Sequence, residues 1–153
     1  MSPVDAGAQI RATRVRAGLT QQQLAELSGV RQPNIAAYEG GQRSPSVAML
    51  KRLLEAARPR PSTLLEINRA EIRKIAARHR ARDVRVFGSV ARHADRSDSD
   101  LDLLVTFDDE ATLFDHAALI DELQDLLGMP VDVVSTGALR ERDKAIRAEA
   151  VPV

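Results

Sequence analysis

Gly88-Ser89-Val90-Ala91-Arg92-His93-Ala94-Asp95-Arg96-Ser97-Asp98-Ser99-Asp100-Leu101-Asp102 joins a turn suited to phosphate with two acids one residue apart. Before it, a strand is expected over residues 83 to 87, and after it a second strand from Leu101 to Phe107. At the turn, Gly88 lets backbone N–H groups of Gly88 and Ser89 close on an anion. Strand alternation places Asp100 and Asp102 on one face. Adjacent carboxylates repel, and a divalent cation neutralises such a pair while both stay ionised. The spacing therefore predicts Mg²⁺ and a polyphosphate. An acidic surface turn is the competing reading, but Leu101, Leu103, Leu104 and Val105 make both faces of the second strand apolar. The acids then lie at the mouth of a buried strand, where carboxylates without a ligand are costly.

Gly88-Ser89, ten residues, then Asp100-x-Asp102 resembles the signature of the DNA-polymerase-β-like nucleotidyltransferases. Gly-Ser-x-Ala-Arg followed by Ser-Asp-x-Asp-Leu-Leu-Val is similar to their minimal, MNT-type branch, over roughly residues 62 to 153. The resemblance implies an α/β (α+β) domain with a short mixed sheet, ATP as substrate and two Mg²⁺ ions. Asp100 and Asp102 would hold both metals. In the apolar run Met129-Pro130-Val131-Asp132-Val133-Val134 one acid interrupts a short buried strand, and Asp132 is the expected third metal ligand or base. The family places its third carboxylate on such a strand. Gly88 and Ser89 would contact the β and γ phosphates. Arg92 either meets the triphosphate charge or merely caps a helix or salt-bridges Asp95. His93 stands where the family usually has glycine. Ser97 and Asp98 are expected to shape the loop, and His79 and His116 to occupy solvated helix positions. The spacing of Arg73 and His79 fits a HEPN ribonuclease signature, but that all-helical fold needs more chain than one helix.

The chain has 153 residues, enough for one ordinary domain or two small ones. With no cysteine it has neither a disulfide framework nor a thiolate metal site, which suits a reducing compartment. No apolar run reaches membrane length and no signal-peptide core opens the chain, so a cytoplasmic location with no membrane partner is expected. Zero net charge hides an asymmetry: residues 1 to 60 carry nine Lys/Arg against four Asp/Glu, residues 61 to 153 thirteen against eighteen. Opposite signs suggest two jobs.

A linker is expected over residues 58 to 62, Arg58-Pro59-Arg60-Pro61-Ser62, with Ser62 as a helix cap. It separates an all-α domain, residues 1 to 57, from the transferase domain, residues 63 to 153. Before it, helices are expected near residues 5 to 17, 21 to 28, 32 to 39 and 46 to 56, the second opened by a Thr20/Gln23 capping box and broken by Gly29. After it come a helix over 63 to 79, the two strands, a helix over 113 to 127, a strand over 131 to 134 and a last helix from about residue 138.

Thr20-Gln21-Gln22-Gln23-Leu24-Ala25, then Gly29-Val30, Ile35 and Tyr38-Glu39, have the spacing of a helix-turn-helix. Leu24, Ala25, Leu27, Val30 and Ile35 would hold its helices together. Residues 6 to 57, including Gly40-Gly41-Gln42-Arg43-Ser44-Pro45, resemble the Cro and phage-repressor (XRE) family, whose third helix enters the major groove. The match implies adenine readout by Gln32, thymine-methyl contacts by Pro33 and Ala37, and phosphate contacts by Gln21, Arg31, Asn34 and Arg43. Arg31 sits where a small N-cap is commoner. A helical bundle that binds protein is the alternative, which the basic charge disfavours. One small module binds DNA weakly, so a homodimer on a palindrome or a hetero-oligomer is expected.

Minimal transferases of this kind resemble antitoxins that silence HEPN toxins by moving AMP from ATP to a toxin tyrosine. The expected function is therefore a DNA-binding antitoxin, autoregulating its operon, with Mg²⁺-dependent protein adenylyltransferase activity on a cognate HEPN-type toxin. A transcriptional regulator that binds nucleotide or partner without turnover is the alternative. A small-molecule nucleotidyltransferase is disfavoured because no acceptor domain follows, and a partner is expected to complete the pocket. Tyr38, the one tyrosine, is expected in the helix-turn-helix core, which argues against self-modification.

Overall fold

A computed structural model of the chain describes residues 3–153, with side chains from residue 6 onward. The chain divides into two compact units between Pro59 and Arg60. The first comprises α1 (Pro3–Arg16), α2 (Gln21–Ser28), α3 (Gln32–Glu39) and α4 (Val47–Ala56). Local chemistry sets these bounds. Thr20 Oγ1 accepts the Gln23 N–H at 3.1 Å while the Thr20 N–H donates to Gln23 Oε1 at 2.8 Å, closing the expected capping box. Gly29, at φ 70°, ends α2 in the left-handed conformation. Ser46 caps α4 from outside the helix, so α4 begins one residue later than expected. Ile10, Leu24, Val30, Ile35, Tyr38 and Leu53 form one core. A Cβ at Gly7 would lie 2.1 Å from the Tyr38 carbonyl oxygen, so α1 crosses α3 where only glycine fits. Leu27, expected inside, is 46% exposed: Leu24, Ala25 and Ser28 already form the inward stripe of α2.

In the second unit, α5 (Pro61–Arg78) leads into β1 (Ala81–Phe87) and β2 (Leu101–Phe107), then α6 (Leu113–Leu127), β3 (Val131–Ser135), α7 (Lys144–Glu149) and β4 (Val151–Pro152). The sheet order is β3-β2-β1-β4. β1 pairs antiparallel with both β2 and β4, whereas β2 and β3 run parallel with α6 as the crossover. The sheet is mixed, as expected. Because α5 packs on β1, α6 on β3 and the two helices on each other, both cover one face. Leu101, Leu103, Val105, Val131 and Val133 point to that face and meet Ile72, Ile75, Leu119 and Leu123. The other face presents Asp102 and Asp132.

Several boundaries differ from expectation. Pro61 occupies the first turn of α5, which therefore starts inside the expected linker, and Ser62 does not cap it. Instead the buried Asp95 carboxylate accepts the Ser62 N–H at 2.9 Å, reaching back from the motif loop. The last helix is shorter: two 3₁₀ turns at Thr136–Ala138 and Glu141–Asp143 precede α7. β4 was not foreseen, because two residues, one of them proline, have no alternation to read. Proline is tolerated there because β4 is an edge strand.

Candidate active site and candidate nucleic-acid interface

The motif loop leaves β1 at Phe87 and returns into β2 at Leu101, with a helical turn closed by Arg92 N–H to Gly88 O at 3.2 Å and Ala94 N–H to Ser89 O at 2.9 Å. Gly88 has φ 73°, and a Cβ there would stand 2.3 Å from Asp102 Oδ2. Glycine thus brings the turn directly against the second acid of the pair. Asp102 and Asp132 are register partners across the parallel ladder. Asp100 stands just before β2 and is exposed, Asp102 is half-buried, and Asp132 is exposed. β3 buries only alternate side chains, so Asp132 does not lie inside a buried strand as expected but on its open face.

The electrostatics are those of crowded carboxylates. Burial pushes the Asp102 carboxyl above its ordinary 3.8, and the charges of Asp132, Asp100 and Glu149 add to the rise while Arg92 opposes it. Among the described residues no three His, Asp or Glu side chains close into a metal-ligating group. The donor set nevertheless fits a hard divalent cation: oxygen ligands alone, too much negative charge around Asp102, and a glycine turn pressed against it.

Arg92 does not meet Asp95, which is committed to the Ser62 N–H. Its Nη1 lies 3.0 Å from Glu149 Oε2, and Glu149 Oε1 also accepts the Gly88 N–H at 2.9 Å. These bonds, the Gly88 N–H foremost and Arg92 next, hold the Glu149 carboxyl below its ordinary range. Neither Asp95 nor Glu149 was singled out in the sequence. In the sequence Asp95 stands out only as a partner for Arg92, and Glu149 lies in a segment that reads as plain helix. His93 adopts φ 56°, a left-handed conformation that explains why glycine suits this position, and its side chain is exposed. In the loop Asp98 pairs with Arg96 at 3.9 Å, and Ser99 Oγ accepts the Arg96 N–H at 2.8 Å. The other two histidines are not simply solvated. His79 Nε2 lies 2.5 Å from Glu122 Oε2, and a His116 ring nitrogen lies 2.7 Å from the Val133 carbonyl oxygen. Both gain partners from elements that the fold brings beside their helices.

On the helical unit, a chain of polar side chains ties three helices together. Arg14 donates to both oxygens of Glu39 at 2.7 and 2.9 Å, Gln21 donates to Glu39 Oε2 at 3.0 Å, and Gln32 donates to Gln21 Oε1 at 2.8 Å. Gln32 is thus oriented from behind. Arg43 donates to Asn34 Oδ1 at 3.2 Å. Arg31 is the α3 N-cap without a side-chain capping bond and, like Pro33 and Arg43, is exposed, whereas Ala37 is half-buried.

Residues 69–151 match the family described as Nucleotidyltransferase domain. The chain belongs to the nucleotidyltransferase domain family. Residues 10–61 match Helix-turn-helix, so the transferase domain follows a DNA-binding domain of the XRE type. The transferase domain is 36% identical over 90 residues to Putative protein adenylyltransferase MJ0435 of Methanocaldococcus jannaschii, covering 58% of this chain and 95% of that one. Protein adenylyltransferase MntA of Thermococcus cleftensis is 35% identical over 78 residues, covering 51% of this chain and 76% of its own. A solved structure described as a "putative minimal nucleotidyltransferase" superposes with a TM-score of 0.56 at 47% identity, over 60% of this chain and 95% of that chain. The transferase fold and the helix-turn-helix head foreseen in the sequence are both present. No helix among the described residues is long and apolar enough to cross a membrane.

Proposed function

We propose that this protein is a DNA-binding antitoxin that transfers AMP from ATP to a partner toxin and autoregulates its operon. The observation that carries the reading is the pairing of Asp102 with Asp132 on the open sheet face, with Gly88 pressed against Asp102. Asp100, Asp102 and Asp132 would hold Mg²⁺, two ions in this reading, which supplies charge neutralisation for the phosphates. The Gly88 N–H, the Ser89 side chain and backbone, and Arg92 seat the β and γ phosphates. Exposed Asp132 accepts a hydrogen bond from the acceptor hydroxyl and orients its oxygen towards the α-phosphorus. The new P–O bond forms as the bond to pyrophosphate breaks, and the hydroxyl proton leaves through that carboxylate.

The acceptor belongs to another protein, in this reading a tyrosine of a HEPN-type ribonuclease. Tyr38, the only tyrosine, is 8% exposed and packed among Ile10, Leu24 and Ile35, which argues against self-modification on tyrosine. The names of MJ0435 and MntA support a protein acceptor. On the helical unit, Gln32 reads adenine, Pro33 and Ala37 meet thymine methyls, and Gln21, Arg31, Asn34 and Arg43 contact operator phosphates. The working form is a homodimer or a hetero-oligomer with the toxin, in the cytoplasm.

The test is incubation with labelled ATP, Mg²⁺ and the product of the neighbouring gene. Label on that product, absent with Asp100→Ala, supports the reading. Tight operator binding with no label on the product would sink the enzymatic part.

A further inference from the structure

The carboxylate of Glu149 has the two donors that an anionic phosphate oxygen would take: the Gly88 N–H at 2.9 Å and Arg92 Nη1 at 3.0 and 3.3 Å. It does so in an unfavourable place for an acid, since Glu149 adds to the negative charge already crowding Asp102. Those donors outweigh the cost and hold the carboxyl below its ordinary range. From this geometry we infer that Glu149 is a built-in competitor for the nucleotide, filling the phosphate seat until a triphosphate displaces it. The inference rests on the transferase reading above and deepens it.

The segment carrying Glu149 is built to let go. The two 3₁₀ turns and α7 contain no fully buried residue. Thr136 Oγ1 bonds Thr106 Oγ1 of β2 at 3.1 Å, which keeps the first 3₁₀ turn on the sheet, so the part that swings is the second turn and α7, tied to the first turn by Arg147 Nη2 to Thr136 O at 3.1 Å. The chain beyond it is anchored: Ala150 is buried, Val151 and Pro152 pair with β1, and the Val153 N–H donates to Val84 O at 3.0 Å. Rotation ahead of Ala150 swings Glu149 out while β4 stays in the sheet. A protein whose seat is open for only part of the time binds with its intrinsic affinity reduced by the open fraction. Glu149 thereby selects ligands with enough phosphate charge to win Arg92, favouring triphosphates over monophosphates.

The test is calorimetric titration of the full chain with MgATP, comparing wild type with Glu149→Ala, Glu149→Gln and Glu141→Ala. The last removes an equal charge from an exposed position on the same segment, where Glu141 pairs with Lys144. The expected result is binding about tenfold tighter for Glu149→Ala, a smaller tightening for the isosteric Glu149→Gln, and none for Glu141→Ala. Wild-type affinity or weaker in both Glu149 variants overturns the inference while leaving the transferase reading intact. So does equal tightening by Glu141→Ala, which would make the effect one of net charge. No MgATP binding by any of the four proteins overturns the transferase reading itself, and this inference with it.

Discussion

Asp102 and Asp132 face each other across a parallel ladder, one half-buried and the other exposed, in the same register position of β2 and β3. Their separation in sequence is closed by the α6 crossover, so the two side chains share a face only in the folded domain. Replacing either with asparagine keeps the size but removes the charge and turns one acceptor oxygen into a donor NH2. Each variant should lose at least about 100-fold in transfer rate, measured as initial incorporation of labelled nucleotide into the partner. Retention of rate within threefold by Asp132→Asn would remove Asp132 from the site.

The crowding of Asp102 has a thermodynamic signature separate from activity. Its carboxyl is raised above 3.8 by burial first and by Asp132 and Asp100 next. A raised acid contributes stability below its unfolded value that is lost as pH rises through the folded value. In chelator, Asp102→Asn should therefore melt higher than wild type at pH 7, by on the order of a degree or two. That difference should vanish below pH 3.8, the ordinary value. A pH-independent difference would point to packing instead.

In the helical unit, the Arg14–Glu39 pair is nearly dry, with side chains 13% and 4% exposed. Burial pushes the Glu39 carboxyl up, but hydrogen bonds from Arg14 and Gln21 and the charges of Arg14 and Arg11 outweigh it and leave the carboxyl below 4.5. Such a group contributes stability that is present above its unfolded value and lost as pH falls through the folded one. Glu39→Ala should cost about 3 kcal/mol, because it strands Arg14. Tyr38 is the sole tyrosine and tryptophan is absent, so its emission follows the urea unfolding of this unit alone.

On DNA the two kinds of contact should separate. Gln32→Ala should cost about 1 to 3 kcal/mol on the operator and relax the preference for adenine at one position. Arg43→Ala should weaken binding to all sequences and lower the salt slope by about one. Gln21→Ala should mimic part of the Gln32 effect, since Gln21 holds the Gln32 amide. Fluorescence anisotropy against salt, on operator and scrambled duplexes, distinguishes these outcomes.

His93 carries a backbone strain that glycine lacks. His93→Gly should stabilise the second unit by about 0.5 to 1 kcal/mol, the left-handed penalty less the added unfolded-state entropy. Its effect on nucleotide affinity should be under twofold, because the ring is exposed. Thermal unfolding and the same calorimetric titration check both.

The parts legible in the sequence were those written in local chemistry. Thr20 with Gln23, Gly29 and the apolar periods of α2 and α3 define a helix-turn-helix without any distant contact. Gly88-Ser89 and Asp100-x-Asp102 flank a single loop, so adjacency in the chain nearly guarantees adjacency in space. Contacts that close over long separations left no such signal. Glu149 reaches Gly88 across 61 residues, Asp95 reaches Ser62 across 33, and His79 finds Glu122 across 43. Each is one polar residue on an otherwise ordinary helix or turn. Pairing of β4 with β1 was hidden for the same reason: two residues acquire strand conformation only from the neighbour they join.

The bond from Ser62 to Asp95 bears on how heads and transferases are exchanged. The first turn of α5 is tied down from within its own unit, by a residue of the loop that also bears Gly88 and Arg92. A cut made ahead of Arg60 keeps that tie; one made after Ser62 removes the N–H that Asp95 accepts and unties the loop. Recombination that grafts a different reader onto this chemistry has a narrow seam to respect, and Arg58 to Arg60 is where it lies.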